Sequence, residues 1–164
     1  MKMLDVIELE YEDKRKAGML DNDLNVRKSE GTDKIWLCTN HIMEYYIYAC
    51  YFEPQQEILM PELPIAEYYR TYADLCVKLQ KYKRAEDAYK KALCWNPVDL
   101  DSYLGLAECY KYLNMMSRYL DVTKQAYRFC CTRATMARYY RNMGFYYLSS
   151  YNTDCLLYTS PSPR

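Results

Sequence analysis

Apolar side chains between residues 40 and 54 recur at the spacing of one helix face, in the segment NHIMEYYIYACYFEP. The positions on that face are Ile42, Tyr45, Tyr46, Ala49 and Phe52. We expect Asn40 to cap this helix and Pro54 to end it, because a residue that precedes proline disfavours the α conformation. A short β-strand is the alternative, since isoleucine, tyrosine and phenylalanine also dominate strands.

The remainder of the N-terminal region carries a weaker pattern. The stretch VIELEYEDKRKAGML favours a helix that ends near Gly18, and the polar stretch DNDLNVRKSEGTDK, with Gly31 in a turn, is typical of a connection. We therefore expect residues 1–60 to form an N-terminal extension with helices that caps the structure. Pro61 and Pro64 mark the linker that follows it.

Two consecutive stretches further along can be laid over one another at a constant interval, and each favours two helices joined by a turn. The matched residues are Tyr69 with Tyr103, Ala73 with Ala107, and Ala92 with Ala126. A third stretch opens in the same way after a slightly longer interval, with Tyr140, Met143, Gly144 and Tyr147. Small residues at the matched positions allow paired helices to approach closely, and tyrosines fill the space between them.

Helix, turn and helix within about 34 residues resemble the tetratricopeptide repeat, with its pattern W-x-x-L-G-x-x-Y, then A-x-x-x-F, then P. In the first unit the corresponding residues are Tyr69, Tyr72, Ala73, Cys76, Ala85, Tyr89 and Pro97. The second unit departs from the pattern at Tyr119, Thr123 and Cys131, so we expect its second helix to be atypical, with the bulk of Tyr119 pushing the paired helices apart locally. Residues 42–154 also resemble a group of uncharacterised bacterial tetratricopeptide proteins.

The resemblance implies an all-α fold in which antiparallel helix pairs form a short right-handed α-solenoid. Its units cover about residues 66–99, 100–133 and 137–154, the last of them incomplete. The stretch that follows, CLLYTSPSPR, has no helical pattern and resembles a sequencing adapter translated in frame. We interpret residues 155–164 as a non-native tail. A solvated Ser/Pro-rich terminus is the alternative.

Charge and composition exclude several classes of function. Basic and acidic residues number 22 each, so the net charge is zero and a general polyanion-binding surface is disfavoured. Tyrosines beside Arg138 and Arg141 could stack on nucleic-acid bases, but Tyr140 and Tyr147 occupy packing positions. Because we see neither a signal peptide nor a membrane-spanning run, we expect a cytoplasmic protein that binds no nucleic acid and no membrane.

The sequence carries no pattern of catalytic or metal-binding residues. His41 is the single histidine, the cysteines lack metal-ligand spacing, and no phosphate-binding loop or nucleophile motif is present. We therefore expect neither enzymatic activity nor a cofactor, and we expect reduced thiols. An enzyme within residues 1–60 is disfavoured, because so short a stretch cannot enclose a site.

An interaction scaffold is the function that this pattern favours. The resemblance implies that the first helix of each unit lines a concave surface that holds a protein or peptide partner. The candidate residues are Glu67, Arg70, Asp74, Val77, Asp101, Leu104, Glu108, Lys111, Arg138, Arg141, Asn142 and Phe145. A regulatory domain of a larger protein is the alternative. We also expect self-association through the apolar side of the incomplete third unit, because a partner helix there is missing.

Overall fold

The computed structural model describes residues 34–150, and these residues are mostly helical. The elements in chain order are β1 (Lys34–Trp36), α1 (Ile42–Phe52), β2 (Glu57–Leu59), α2 (Ile65–Lys78), α3 (Tyr82–Trp95), α4 (Leu100–Tyr112), α5 (Met116–Ala126), a 3₁₀ turn (Tyr127–Phe129) and α6 (Arg133–Ser149). The helix expected near Gly18 and the tail at 155–164 lie outside the described residues. The all-α class is confirmed in the sense that helices dominate.

Two short strands were not expected from the sequence. β1 and β2 pair in parallel, with Ile35 opposite Ile58, and the backbone N–H of Leu37 continues the ladder by donating to the carbonyl oxygen of Leu59 at 2.9 Å. Parallel strands need a crossover connection, and α1 provides it. The strand pair therefore brings together the two segments that flank α1.

Helix α1 covers the segment for which helix and strand were both considered. Its N-cap is His41 rather than Asn40, and the His41 side chain makes no capping hydrogen bond. Glu44 in the first turn accepts hydrogen bonds instead, from the backbone N–H of Asn40 at 2.6 Å and from its side-chain amide at 3.3 Å. The helix ends at Glu53, which has a left-handed backbone just before Pro54.

From α2 to α6, each helix packs against the next along the chain. Small residues lie at the contact between α2 and α3, where Ala73, Ala85 and Ala92 are completely buried. Ala107 and Ala126 are equally buried between α4 and α5. Close helix approach at small residues, with tyrosines filling the remaining volume, is the packing that the alignment predicts.

The turns inside the two helix pairs have the same hydrogen bonds at aligned positions. In the first, the N–H of Lys81 donates to the carbonyl of Cys76 at 2.8 Å, and in the second that of Met115 donates to Tyr110 at 2.9 Å. Gln80 and Asn114 hold the left-handed backbone that each turn needs, with φ of 58° and 56°. This is the Schellman ending of a helix, which satisfies carbonyls of the last turn.

Helix α1 lies across the connections that follow the two pairs. The Glu44 carboxylate accepts from the side-chain amide of Asn96 at 2.7 Å, in the loop after α3. The Tyr51 ring meets the Phe129 ring edge-on after α5, with centroids 6.0 Å apart. Tyr48, between these contacts, is 1% exposed. Helix α1 thus packs beside both pairs.

Candidate functional site

A cavity of about 460 Å³ lies between α2, α4 and α6, and we call it the groove. Its lining contains eight of the twelve residues that the sequence proposes, together with Gly105. These eight are Arg70, Asp74, Asp101, Leu104, Glu108, Arg138, Arg141 and Asn142. The alternate helices of the chain therefore bring the predicted polar residues to one surface.

Four of the proposed residues lie outside this lining. Glu67 is exposed on α2, and Val77 is half-buried against the core. Lys111 and Phe145 are neighbours at the edge, with the ammonium 5.1 Å from the ring centroid. Leu104 lines the groove but is only 6% exposed, so most of it belongs to the core rather than to a contact surface.

Charged side chains connect the three helices across one end of the groove. Arg70 on α2 lies 3.3 Å from the Asp99 carboxylate and 3.9 Å from that of Asp101. Arg138 on α6 pairs with Asp101 from the other side, at 2.5 Å. Asp101 therefore stands between two guanidinium groups, and both arginines are held in place.

Asp99 is the buried member of this network, at 2% exposure. Burial raises the pKa of its carboxyl above the ordinary value, although the Ser102 hydroxyl, which donates at 2.6 Å, and the nearby Arg70 favour the charged form. The same carboxylate accepts from the backbone N–H of Asp101 and so caps α4. Asp99 therefore has two roles: it caps α4, and it orients the guanidinium of Arg70.

Two charges in the groove lack an opposite partner among the described residues, and they lie on different helices. Arg141 on α6 forms no ion pair within residues 34–150, whereas Glu108 is paired with Lys111 at 2.7 Å. Asp74 on α2 accepts a hydrogen bond from the Tyr89 hydroxyl but has no cation beside it in this part of the chain. The groove thus presents one available positive and one available negative group.

The Tyr89 ring reaches from α3 to the backbone of Gly105 on α4, and its hydroxyl donates to Asp74, so the ring lies behind the lining of the groove. A Cβ atom at position 105 would overlap the ring at Cζ of Tyr89. No side chain fits there without displacing the ring, and this explains why position 105 is glycine inside a helix. Tyr89 is 2% exposed, and burial, followed by the contact with Asp74, raises the pKa of its phenol well above the ordinary value.

A second cavity of about 410 Å³ adjoins the groove and shares two of its lining residues, Asp101 and Arg138. Its apolar lining comes from α1, the α3–α4 connection with the start of α4, and the 3₁₀ turn. These residues are Met43, Ile47, Val98, Leu100 and Phe129. The remaining lining residues are polar, and they are His41, Glu44, Asp99, Cys131, Thr132 and Thr135. Sequence reasoning missed this site, because its walls come from segments that are far apart in the chain.

The described part of the chain offers little that would support catalysis. Within residues 34–150 no group of three histidine, cysteine or carboxylate side chains could hold a metal ion. The seven cysteines in that range are free thiols, and burial raises the pKa of Cys109 to about 12. No helix in the same range is long and apolar enough to cross a bilayer. What the groove offers is hydrogen bonding and charge.

Comparisons with protein-family models, curated proteins and solved structures found no match. A function can therefore be inferred only from the geometry of the groove and of the second cavity.

Proposed function

We propose that the protein is a non-catalytic interaction module of the tetratricopeptide type, which holds an extended peptide of its partner in the groove. The recurrence of the same turn supports the repeat assignment: Gln80 and Asn114 occupy aligned positions and share their backbone conformation and hydrogen bonds. Helices α3 and α5 also begin at aligned positions, Tyr82 and Met116. A repeated helix pair of this kind is the unit from which solenoid repeat proteins are built.

The observation that carries the binding role is the lining of the groove by three alternate helices. Each contributes polar or charged side chains, which are Arg70 and Asp74 from α2, Asp101 and Glu108 from α4, and Arg141 and Asn142 from α6. In repeat proteins, a surface built from equivalent positions of successive units forms an extended binding site. Residues at equivalent positions are thus available to one extended ligand.

The charges define the chemistry of the peptide. Arg70 and Arg138 are neutralised by Asp99 and Asp101, so they shape the groove more than they attract a ligand. Arg141 and Asp74 remain, one on each side of the groove. A peptide with an acidic residue opposite Arg141 and a basic residue opposite Asp74 is complementary to both.

The test uses peptides selected from a random 12-residue library displayed on phage, with the full chain as bait. Affinity for synthetic versions is then measured by fluorescence anisotropy. Arg141→Glu should weaken binding of the selected peptides at least tenfold, and Arg133→Glu on the same helix is the matched control, because Arg133 is exposed and does not line the groove. Equal affinities of both variants for every selected peptide would contradict the proposal.

A second pair of variants addresses the negative side of the groove. Asp74→Asn keeps an acceptor for the Tyr89 hydroxyl and removes the charge, so the fold should be unaffected. We expect weaker binding of peptides that carry a lysine or arginine, and a smaller effect on peptides without one. Asp87→Asn, an exposed change on α3, is the control.

A further inference from the structure

The second cavity has the character of an anchoring pocket for one apolar side chain. Its lining includes the aliphatic side chains of Ile47, Val98 and Leu100 and the phenyl ring of Phe129, and its volume is about 410 Å³. Met43, which belongs to this lining, is 58% exposed. An exposed methionine beside an apolar cavity is a surface that an apolar group can cover with a gain in free energy.

The cavity adjoins the groove, and the Asp101–Arg138 ion pair belongs to the lining of both. The α6 residues Thr135, Arg138 and Asn142 follow the i, i+3, i+7 spacing of one helix face and lead from the second cavity into the groove. From Thr135 to Arg141 the helix rises about 9 Å, at about 1.5 Å per residue. An extended peptide covers that distance in about three residues.

We propose that the peptide held in the groove places an apolar side chain, such as that of leucine, in the second cavity, about three residues away from the acidic residue that faces Arg141. This inference rests on the proposed function and adds a sequence requirement to it. Chemical complementarity supports this occupant. The groove on one side of the Asp101–Arg138 ion pair contains the guanidinium of Arg141, and the apolar side chains of the second cavity lie on the other side. A ligand with both chemistries at that spacing fits both sites at once.

The test uses fluorescein-labelled nine-residue peptides of serine and glycine that contain one aspartate, with a leucine one to five residues away on either side. Each has a partner peptide in which serine replaces the leucine. We expect the leucine to increase affinity about tenfold or more at a separation of three, and less at a separation of one or five. An affinity gain that is independent of the separation would overturn the proposal.

Variants in the cavity identify where the leucine binds. Met43→Glu should abolish the gain that leucine provides, and Met60→Glu should preserve it, because Met60 is similarly exposed, at 53%, but lines neither cavity. Comparing leucine and serine peptides within each variant cancels the effect of the added charge on the aspartate. A gain of equal size in both variants would overturn the proposal.

The outcomes also separate this inference from the proposed function. Peptides that depend on Arg141 but gain nothing from leucine would leave the groove proposal standing and overturn this one. If no peptide shows dependence on Arg141, both fail. Photo-crosslinking from Met43→p-benzoylphenylalanine adds the identity of the occupant: a crosslink to the leucine peptide supports the proposal, whereas a crosslink to a second copy or to another segment of the same chain overturns it.

Discussion

The two helix pairs, α2–α3 and α4–α5, are joined by turns with the same hydrogen bonds, but different side chains fill the space between their helices. In the first pair, Tyr89 on α3 packs against Gly105 on α4 and donates its hydroxyl to Asp74, which lines the groove. The aligned residue of the second pair is Thr123, which is fully buried. Its hydroxyl has no hydrogen-bond partner among the described residues. The second helix of the first pair thus bonds to a residue that lines the groove, whereas the Thr123 hydroxyl of the second pair makes no such bond within residues 34–150.

This difference determines what the next helix can carry. Gly105 follows the pair with the large tyrosine, and its missing side chain leaves room for the ring. Asn142, in the aligned position of the third unit, follows the pair with the small threonine and brings a side chain into the groove. A bulky residue behind the groove therefore excludes a side chain at its surface, and a small one permits it.

The second pair places its tyrosine one helical turn earlier. Tyr119 occupies the position of Ala85, donates its hydroxyl to the carbonyl oxygen of Asn142 at 2.8 Å, and meets the Phe145 ring edge-on. It is 1% exposed, so its ring fills the space between α5 and α6. Helix α5 is followed by a 3₁₀ turn that ends at Phe129, whereas α3 stays α-helical up to the aligned residue, Trp95.

The largest expected difference between the pairs comes from truncating the two aligned residues. Tyr89→Ala should destabilise the protein by about 3–5 kcal/mol, because it removes a buried aromatic ring and leaves a cavity. Thr123→Ala should cost less than about 1 kcal/mol, since little volume and no hydrogen bond is lost. Urea unfolding monitored by circular dichroism measures both values. Similar costs would mean that the pairs do not differ as described.

The second prediction concerns the coupling between position 89 and position 105. Gly105→Ala should destabilise the fold by about 1–3 kcal/mol through overpacking against the Tyr89 ring. Gly144→Ala is the control, and it should be neutral or stabilising because alanine is the better helix former. In a double-mutant cycle, Gly105→Asn combined with Tyr89→Thr should cost less than the sum of the single changes, by about 1 kcal/mol or more. Additive costs would exclude the coupling.

A third, smaller effect should have the opposite sign. Thr123→Val replaces a buried hydroxyl that has no partner within residues 34–150 with a methyl group of similar size. We expect a gain of about 1 kcal/mol in the free energy of unfolding, because an unpaired buried hydroxyl is costly. Thr71→Val, an exposed change on α2, should leave stability unchanged. A loss of stability in Thr123→Val would show that the hydroxyl is hydrogen-bonded.

The smallest expected effect is a pH-dependent change in stability that only the first pair should show. It comes from Glu86, since the aligned residue of the second pair, Leu120, carries no charge. Burial of Glu86 acts to raise its pKa, but the hydrogen bond from Lys90 and the charges of Lys90 and Lys83 outweigh it, so the pKa lies below its ordinary value. Stabilisation by this carboxylate is present above its unfolded-state pKa and is lost as the pH falls through the lower folded-state value. Glu86→Gln should therefore be less stable at pH 7, by a few tenths of a kcal/mol.

At a pH below the folded-state pKa that difference should disappear. Asp87→Asn, an exposed neighbour on α3, provides the control at each pH. A difference between wild type and Glu86→Gln that persists in acid would show that packing of the side chain, rather than its charge, is responsible. Thermal unfolding at pH 7 and at a series of successively lower pH values distinguishes these results.

The helical frame could be predicted because its signals are local or periodic. Alanines at Ala73 and Ala107 and tyrosines at Tyr69 and Tyr103 mark helix contacts that recur from one unit to the next. The strands were missed because three residues, Lys34–Trp36 or Glu57–Leu59, are too few to establish an alternating pattern. Their pairing depends on α1 bringing distant segments together, and no short window of sequence contains that information.

The site was predicted in part for the same reason. Repeat geometry placed eight residues in the groove, but it could not show that Arg138 pairs with Asp101, because they lie on different helices that are distant in the chain. It also proposed Leu104 as a surface contact, whereas this residue is largely core. The alignment shows Thr123 and Asn142 at the positions that Tyr89 and Gly105 occupy in the preceding units. Only the position of the Tyr89 ring in the structure shows that the two differences are linked.

The hydrogen bond between Glu44 and Asn96 has a consequence for the order of folding. It joins residues 52 positions apart, whereas the helix pairs form contacts between neighbouring segments. Local contacts close small loops and cost less entropy, so the pairs should assemble first and α1 should dock afterwards. Loss of this bond, as in Glu44→Ala, should then accelerate unfolding while leaving the folding rate nearly unchanged. The walls of the second cavity meet only when this late step is complete.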